Sequence, residues 1–125
     1  MGDPRHDLGR AAEDAVAAWL EENGWQVLGQ RVRSVHGAEL DLVVLDRADV
    51  IVGIEVRARR TARAGTGAES IGARRLARMT RTLAAFAASA AHGHRGLRLD
   101  VVTVAPERGT VDRWRLRRTP DVGSP

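Results

Sequence analysis

The stretch Glu39–Arg57, ELDLVVLDRADVIVGIEVR, decides the fold. Read with the two-residue period of a strand, its first half alternates Leu40, Leu42 and Val44 with Glu39, Asp41 and Val43. Its second half alternates Val50, Val52, Ile54 and Val56 with Ile51, Gly53, Glu55 and Arg57. Each half has one wholly apolar face, and the polar link Arg47-Ala48-Asp49 makes the two a hairpin. Directly opposed residues of an antiparallel pair share a face. A two-residue turn at Arg47-Ala48 would therefore set Asp41 opposite Ile54 and Leu40 opposite Glu55, mixing core with charge. A three-residue loop, Arg47-Ala48-Asp49, or a bulge at Gly53 restores the parity, with Leu42 opposite Ile54 and Asp41 opposite Glu55. Burying the apolar face thus gathers Asp41, Glu55, Arg57 and Glu39 on the other. Carboxylates adjacent across strands destabilise a sheet unless a cation stands between them. The plainer reading, a half-buried hairpin with one wet face, is weakened by the flanking pattern, which places both strands inside a sheet.

Working outward, Leu8–Asn23 carries Leu8, Ala12, Ala15, Val16, Trp19 and Leu20 at helical spacing, with Asn23-Gly24 as the stop. Trp25–Arg33 reads as a strand, and Ser34–Gly37 as a turn carrying His36. Ala58–Ala68, rich in Arg, Gly and Thr without periodicity, reads as a basic loop. From Ser70 to Ala90 a second helix sets Leu76, Met79, Leu83 and Phe86 on one stripe and Arg74, Arg78 and Arg81 on the opposite side. His92–Gly96 breaks it, Leu97–Val104 is a nearly all-apolar strand, and Val111–Arg118 is a last, basic strand. The order α-β-β-β-α-β-β predicts a mixed sheet of about five strands with helices on both faces. The crossover through the second helix makes strand four parallel to strand three. Residues 1–118 are expected to form a single domain and 119–125 a disordered tail.

Composition bounds the chemistry. The chain of 125 residues has no cysteine, which leaves oxygen and imidazole as the only ligands for a metal and favours hard cations. All 20 basic residues are arginine, against 16 acidic ones, for a net charge of +4. The planar guanidinium suits phosphate, a balance compatible with a nucleic-acid partner. No apolar leader or membrane-length run is present, so a cytoplasmic location is expected. Neither a phosphate loop nor a dinucleotide fingerprint occurs, which argues against a nucleotide cofactor.

Several motifs, in order, carry a resemblance. They are Leu8-Gly9-Arg10 followed by Glu13, Gly24-Trp25 at the end of the first helix, Arg33 before a glycine turn, Glu39-Leu40-Asp41-Leu42, Glu55-Val56-Arg57-Ala58-Arg59, and Leu97-Arg98-Leu99-Asp100-Val101-Val102. The sequence resembles the YraN-like family of bacterial proteins, a branch of the PD-(D/E)xK, restriction-endonuclease-like superfamily. That resemblance implies a three-layer α/β/α fold and a magnesium (or manganese) dependent nuclease acting on DNA. It implies Asp41 and Glu55 as metal ligands, the Val56 carbonyl as a third, and Glu13 as a further carboxylate holding a second metal or its water shell. Glu39 falls in the family's acidic motif, with one extra residue after its glycine. The family's lysine slot, two residues after the strand-three acid, holds Arg57. Arginine supplies fixed charge but cannot lose its proton and act as a base.

Nucleic acid is expected to meet Arg59, Arg60 and Arg63 of the basic loop and Arg115 and Arg117 of the last strand, because these flank the carboxylate face. The arginine row of the second helix reads as a solvated face, His92, His94 and His36 as ordinary loop histidines, and Asp100 as a residue without an assigned role. A non-catalytic nucleic-acid-binding module and a protein-interaction domain remain the alternatives.

Overall fold

The computed structural model describes the backbone of residues 4–58, 71–89, 93–106 and 114–122, with side chains from residue 9 onward. Its elements run α1 (Pro4–Glu22), β1 (Gln26–Val32), β2 (Leu40–Leu45), β3 (Val50–Ala58), α2 (Ala73–Ser89), β4 (Gly96–Pro106) and β5 (Trp114–Thr119). The strands form one sheet in the order β1-β2-β3-β4-β5. β1, β2 and β3 pair antiparallel in turn, β3 and β4 are parallel, and β4 and β5 are antiparallel. This is the predicted mixed five-stranded sheet, and it is consistent with the three-layer restriction-endonuclease-like architecture. Boundaries differ from the sequence reading by a few residues at most.

The β2–β3 hairpin takes the three-residue loop. Leu42 pairs with Ile54, Val44 with Val52 and Leu45 with Ile51. Asp46 closes the loop: its amide donates to the Val50 carbonyl at 2.9 Å, and its Oδ1 accepts from the Ala48 and Val50 amides at 2.8 and 2.9 Å. Asp49 takes the left-handed conformation (φ 63°) that the last residue of such a loop requires. Gly53 carries no bulge. Instead a side chain there would press on Leu40 and Leu99, so the glycine makes room for them.

Two cores lie on opposite sides of the sheet. Ala12, Val16, Ala17 and Leu20 of α1 pack on Leu42, Val44, Val52, Ile54, Val102 and Val104. On the other side, Met79 and Leu83 of α2 pack on Leu40, Val43, Ile51, Leu99 and Val101. One expectation is corrected here: Leu40 and Leu42, read as neighbours on a single apolar face, belong to different cores. The strict alternation fails because β2 parts from β3 beyond Leu42, and the paired segment of β1 is itself distorted by Arg31 (φ 51°). Strand parity holds only while a regular ladder enforces it.

α1 ends in a Schellman motif, with Gly24 at φ 84°, its amide on the Glu21 carbonyl and the Trp25 amide on the Leu20 carbonyl. At the other end of β1 the turn is tied to α2. Thr82 donates to the Ala38 carbonyl at 2.6 Å and shares a 3.0 Å hydrogen bond with Ser34. The Ala38 amide donates to the Arg78 carbonyl. Gly37 lies so close to the Ser34 and Thr82 hydroxyls that any side chain there would overlap them.

Residues 119–122, expected to belong to a disordered tail, make defined contacts. Thr119 closes β5, the Asp121 amide donates to Asp100, and the Val122 amide donates to the Leu99 carbonyl. Residues 123–125 and most of the predicted basic loop lie outside the described residues. Among the described residues no helix is long and apolar enough to cross a membrane.

Candidate metal centre and nucleic-acid face

Asp41 stands one residue beyond the last β2–β3 pair, where continuation of the register would face it with Glu55. Its Oδ2 accepts the Val56 amide hydrogen at 2.7 Å, so the side chain binds β3 just past the point where the ladder stops. Burial pushes the Asp41 carboxyl up from 3.8 to about 6. The Val56 N–H opposes that rise, and the negative charges of Glu13, Glu55 and Glu39 add to it. Carboxylates from α1, the segment before β2, and β3 thus converge electrostatically on one half-buried acid.

Glu55 is only 8% exposed. Its Oε2 accepts from Arg57 Nη2 at 3.2 Å and its Oε1 from Arg75 Nη2 at 2.5 Å. Two guanidinium groups, one from its own strand and one from α2, therefore neutralise a carboxylate that burial would otherwise penalise. Arg75 is a site residue that the sequence reading missed. The signal was available: Arg75 precedes the buried Met79 by four residues, which puts it on the border of the apolar stripe.

The remaining carboxylates are each held by an arginine of β1 or its turn. Glu13 pairs with Arg31 at 3.4 Å, and Glu39 with Arg33 at 2.6 Å. Val56, whose carbonyl was expected as a ligand, sits in the part of β3 registered with Val102. Asp41 and Glu55 are hard oxygen donors, the type of ligand that a magnesium-class cation takes. Of the neighbouring carboxylates, Glu13 raises the Asp41 carboxyl most. Among the described residues no three acidic or imidazole side chains are gathered into a ready-made cage.

On the α2 side of the sheet, Arg57 is registered with Thr103 and Thr103 with Arg117, so the two arginines share one row about 10 Å apart across three strands. Arg115, registered with Ala105, occupies the next row, and both Arg115 and Arg117 are exposed. They extend the carboxylate face with positive charge. Arg59, Arg60 and Arg63 lie outside the described residues, as does His92. His36 and His94 are exposed.

Asp100 has a structural role instead. It is fully buried on the α1 side and accepts from Arg98 Nε at 2.8 Å, Arg118 Nη1 at 3.0 Å and the Asp121 amide at 2.9 Å. Arg98 also reaches Asp46 at 3.0 Å, and both guanidinium groups lie over the Trp25 ring, at 5.9 and 5.1 Å from its centroid.

The model of the family described as "Uncharacterised protein family UPF0102" matches residues 12–104, a span that contains Glu13, Glu39, Asp41, Glu55 and Arg57. The chain belongs to the UPF0102 family. A UPF0102 protein of Bordetella avium is 41% identical over 112 residues, covering 90% of this chain and 74% of its own length. UPF0102 proteins of Ectopseudomonas mendocina and Frankia alni are 38% and 37% identical, each over 91% of its own length and covering 87% and 88% of this chain. UPF0102 is the YraN-like family that the sequence motifs resemble, and the relatives match this chain across both helices and the carboxylate hairpin rather than in one motif.

Proposed function

We propose that this chain is a magnesium- or manganese-dependent nuclease that hydrolyses phosphodiester bonds in DNA. The observation that carries this reading is the half-buried Asp41, bound to the Val56 amide and raised to about 6 by burial and by Glu13, Glu55 and Glu39, with Glu55 itself paired to Arg57. Raised carboxyls of this kind cluster at functional sites. Asp41 and Glu55 would hold the cation, with Glu13 supporting it. Once bound, a divalent cation supplies an acidified water and polarises a phosphate oxygen. Arg57 would offer a fixed positive charge to the phosphate oxygens that gain negative charge, a role that needs no proton transfer. Arg115 and Arg117 extend the phosphate-attracting face, and a cytoplasmic location goes with this reading.

A second reading has its own support. Because both Glu55 oxygens already accept from arginine, the site is stable as an internal ion-pair cluster, which suits a nucleic-acid-binding module without hydrolysis. An interaction domain is less favoured: among the described residues the exposed large apolar side chains are the separate Val35 and Leu97. The test compares wild type, Asp41→Ala with Glu55→Ala, and Arg57→Lys on single-stranded, duplex and junction DNA with magnesium, manganese or chelator. Metal-dependent cutting that vanishes in the double variant and persists or rises in Arg57→Lys supports the nuclease. Binding by all three without cutting in any metal supports the module.

A further inference from the structure

A cleft of about 450 Å³ opens beside Asp41, between the β1–β2 turn and the first turns of α2. Guanidinium groups from separate elements line it: Arg33 from the turn, and Arg75 and Arg78 from α2, with Glu39 and Asp41. Arg33 is 80% exposed and Arg75 52% exposed, so both heads are available to a ligand despite their contacts with Glu39 and Glu55. Among the described residues, the Arg78 side chain makes one long contact, 3.4 Å, to the Gly37 carbonyl.

We infer that this cleft grips the sugar-phosphate backbone of a nucleic-acid strand, next to the phosphate that meets Asp41, and that it does so without reading the base. This rests on the nuclease reading for the position of the reacting phosphate, and it adds the subsite and its selectivity. The volume lies at the small end of ligand sites, enough for about one nucleotide and not for a duplex. Convergent guanidinium forks match phosphate oxygens. Among the described residues no aromatic side chain lines the cleft to stack a base, and no Asn or Gln is present to pair in bidentate fashion with adenine. The tie of Gly37, Ala38 and Ser34 to Thr82 and Arg78 holds the two walls together, so the arginines are presented from a fixed frame.

The experiment measures binding of fluorescein-labelled dT12 and dA12 by anisotropy in chelator, across a salt series, and cutting separately in magnesium. The proteins are wild type, Arg33→Gln, Arg78→Gln, the double variant, and Arg95→Gln as a control at the opposite end of β4. Wild type should bind dT12 and dA12 with affinities within about threefold. Each cleft substitution should weaken both about fivefold or more and lower the salt slope by about 0.7 for each phosphate left without its arginine. Arg95→Gln should leave affinity near wild type, and magnesium should raise the melting temperature of Arg33→Gln as it does wild type. Unchanged affinity and slope in the double variant would overturn the subsite while leaving the nuclease reading intact. A large preference for dT12 or dA12 would overturn the base-neutral grip, and no binding by wild type would overturn both proposals. Loss of binding in the cleft variants without cutting by wild type in any metal supports the subsite and removes the nuclease.

Discussion

Replacing Asp41 with Asn should stabilise the protein at neutral pH, and the gain should shrink as the solution is acidified. The folded carboxyl titrates at about 6 and the unfolded one near 3.8. Between those values the folded state binds the extra proton, so this group costs stability as pH rises and the full cost is present above about 6. The displacement of about two units corresponds to roughly 3 kcal/mol, reduced to about 2–3 kcal/mol because the side chain is partly open to solvent. Asparagine keeps a side-chain oxygen for the Val56 amide while removing the charge that burial and Glu13, Glu55 and Glu39 disfavour. Urea unfolding at pH 7.5 should therefore show the variant about 2–3 kcal/mol more stable, which is about 8–12 °C in melting temperature for a domain of this size. At pH 4.5 the advantage should fall to about 1 kcal/mol. Magnesium should raise the melting temperature of wild type and do so much less in the variant. A variant no more stable than wild type at pH 7.5, or a gain that grows on acidification, would refute the reasoning.

Arg75→Gln frees one oxygen of Glu55 from a half-exposed partner, so calorimetric titration with manganese should show affinity raised about fivefold, an effect of about 1 kcal/mol for an ion pair of this exposure. Unchanged or weakened affinity would mean that Arg75 does not compete with the cation. Gly37→Ala should cost about 1–3 kcal/mol in urea unfolding, since the Ser34 and Thr82 hydroxyls have to move aside. Asp100→Ala should cost about 3–5 kcal/mol by leaving Arg98 and Arg118 without their buried carboxylate, yet the magnesium-induced rise in melting temperature should survive, because the network lies on the opposite side of the sheet.

The hairpin that sets the fold was legible because its apolar parity admits few registers, and Arg47-Ala48-Asp49 is the loop that satisfies it. The pairing of Leu42 with Ile54 follows from that parity alone. What could not be read was the departure from it. Leu40 crosses to the α2 core because Gly53 leaves space there, and Asp41 joins β3 through its side chain. Both effects arise from contacts between elements and not from periodicity. Arg75 escaped for a related reason: on a helix drawn as one apolar stripe and one polar face, a border arginine looks solvated until the neighbouring strand supplies Glu55. Asp100 stood out in sequence as a charge in an apolar strand, but its partner Arg118 comes from the end of β5 and the Asp121 amide from a segment expected to be disordered.

The hydrogen bond from Val56 to Asp41 also bears on ion selectivity. Oδ2 already accepts the Val56 amide, so a cation chelated side-on by both oxygens would compete with that hydrogen bond for Oδ2, whereas one held through Oδ1 would not. Calcium draws much of its affinity from bidentate carboxylates and a loose shell of many oxygens, whereas magnesium takes single oxygens and keeps its waters. If Asp41 holds the proposed cation, a side chain anchored in this way would favour the smaller ion, and the backbone hydrogen bond that fastens one strand to the next would also act as a filter.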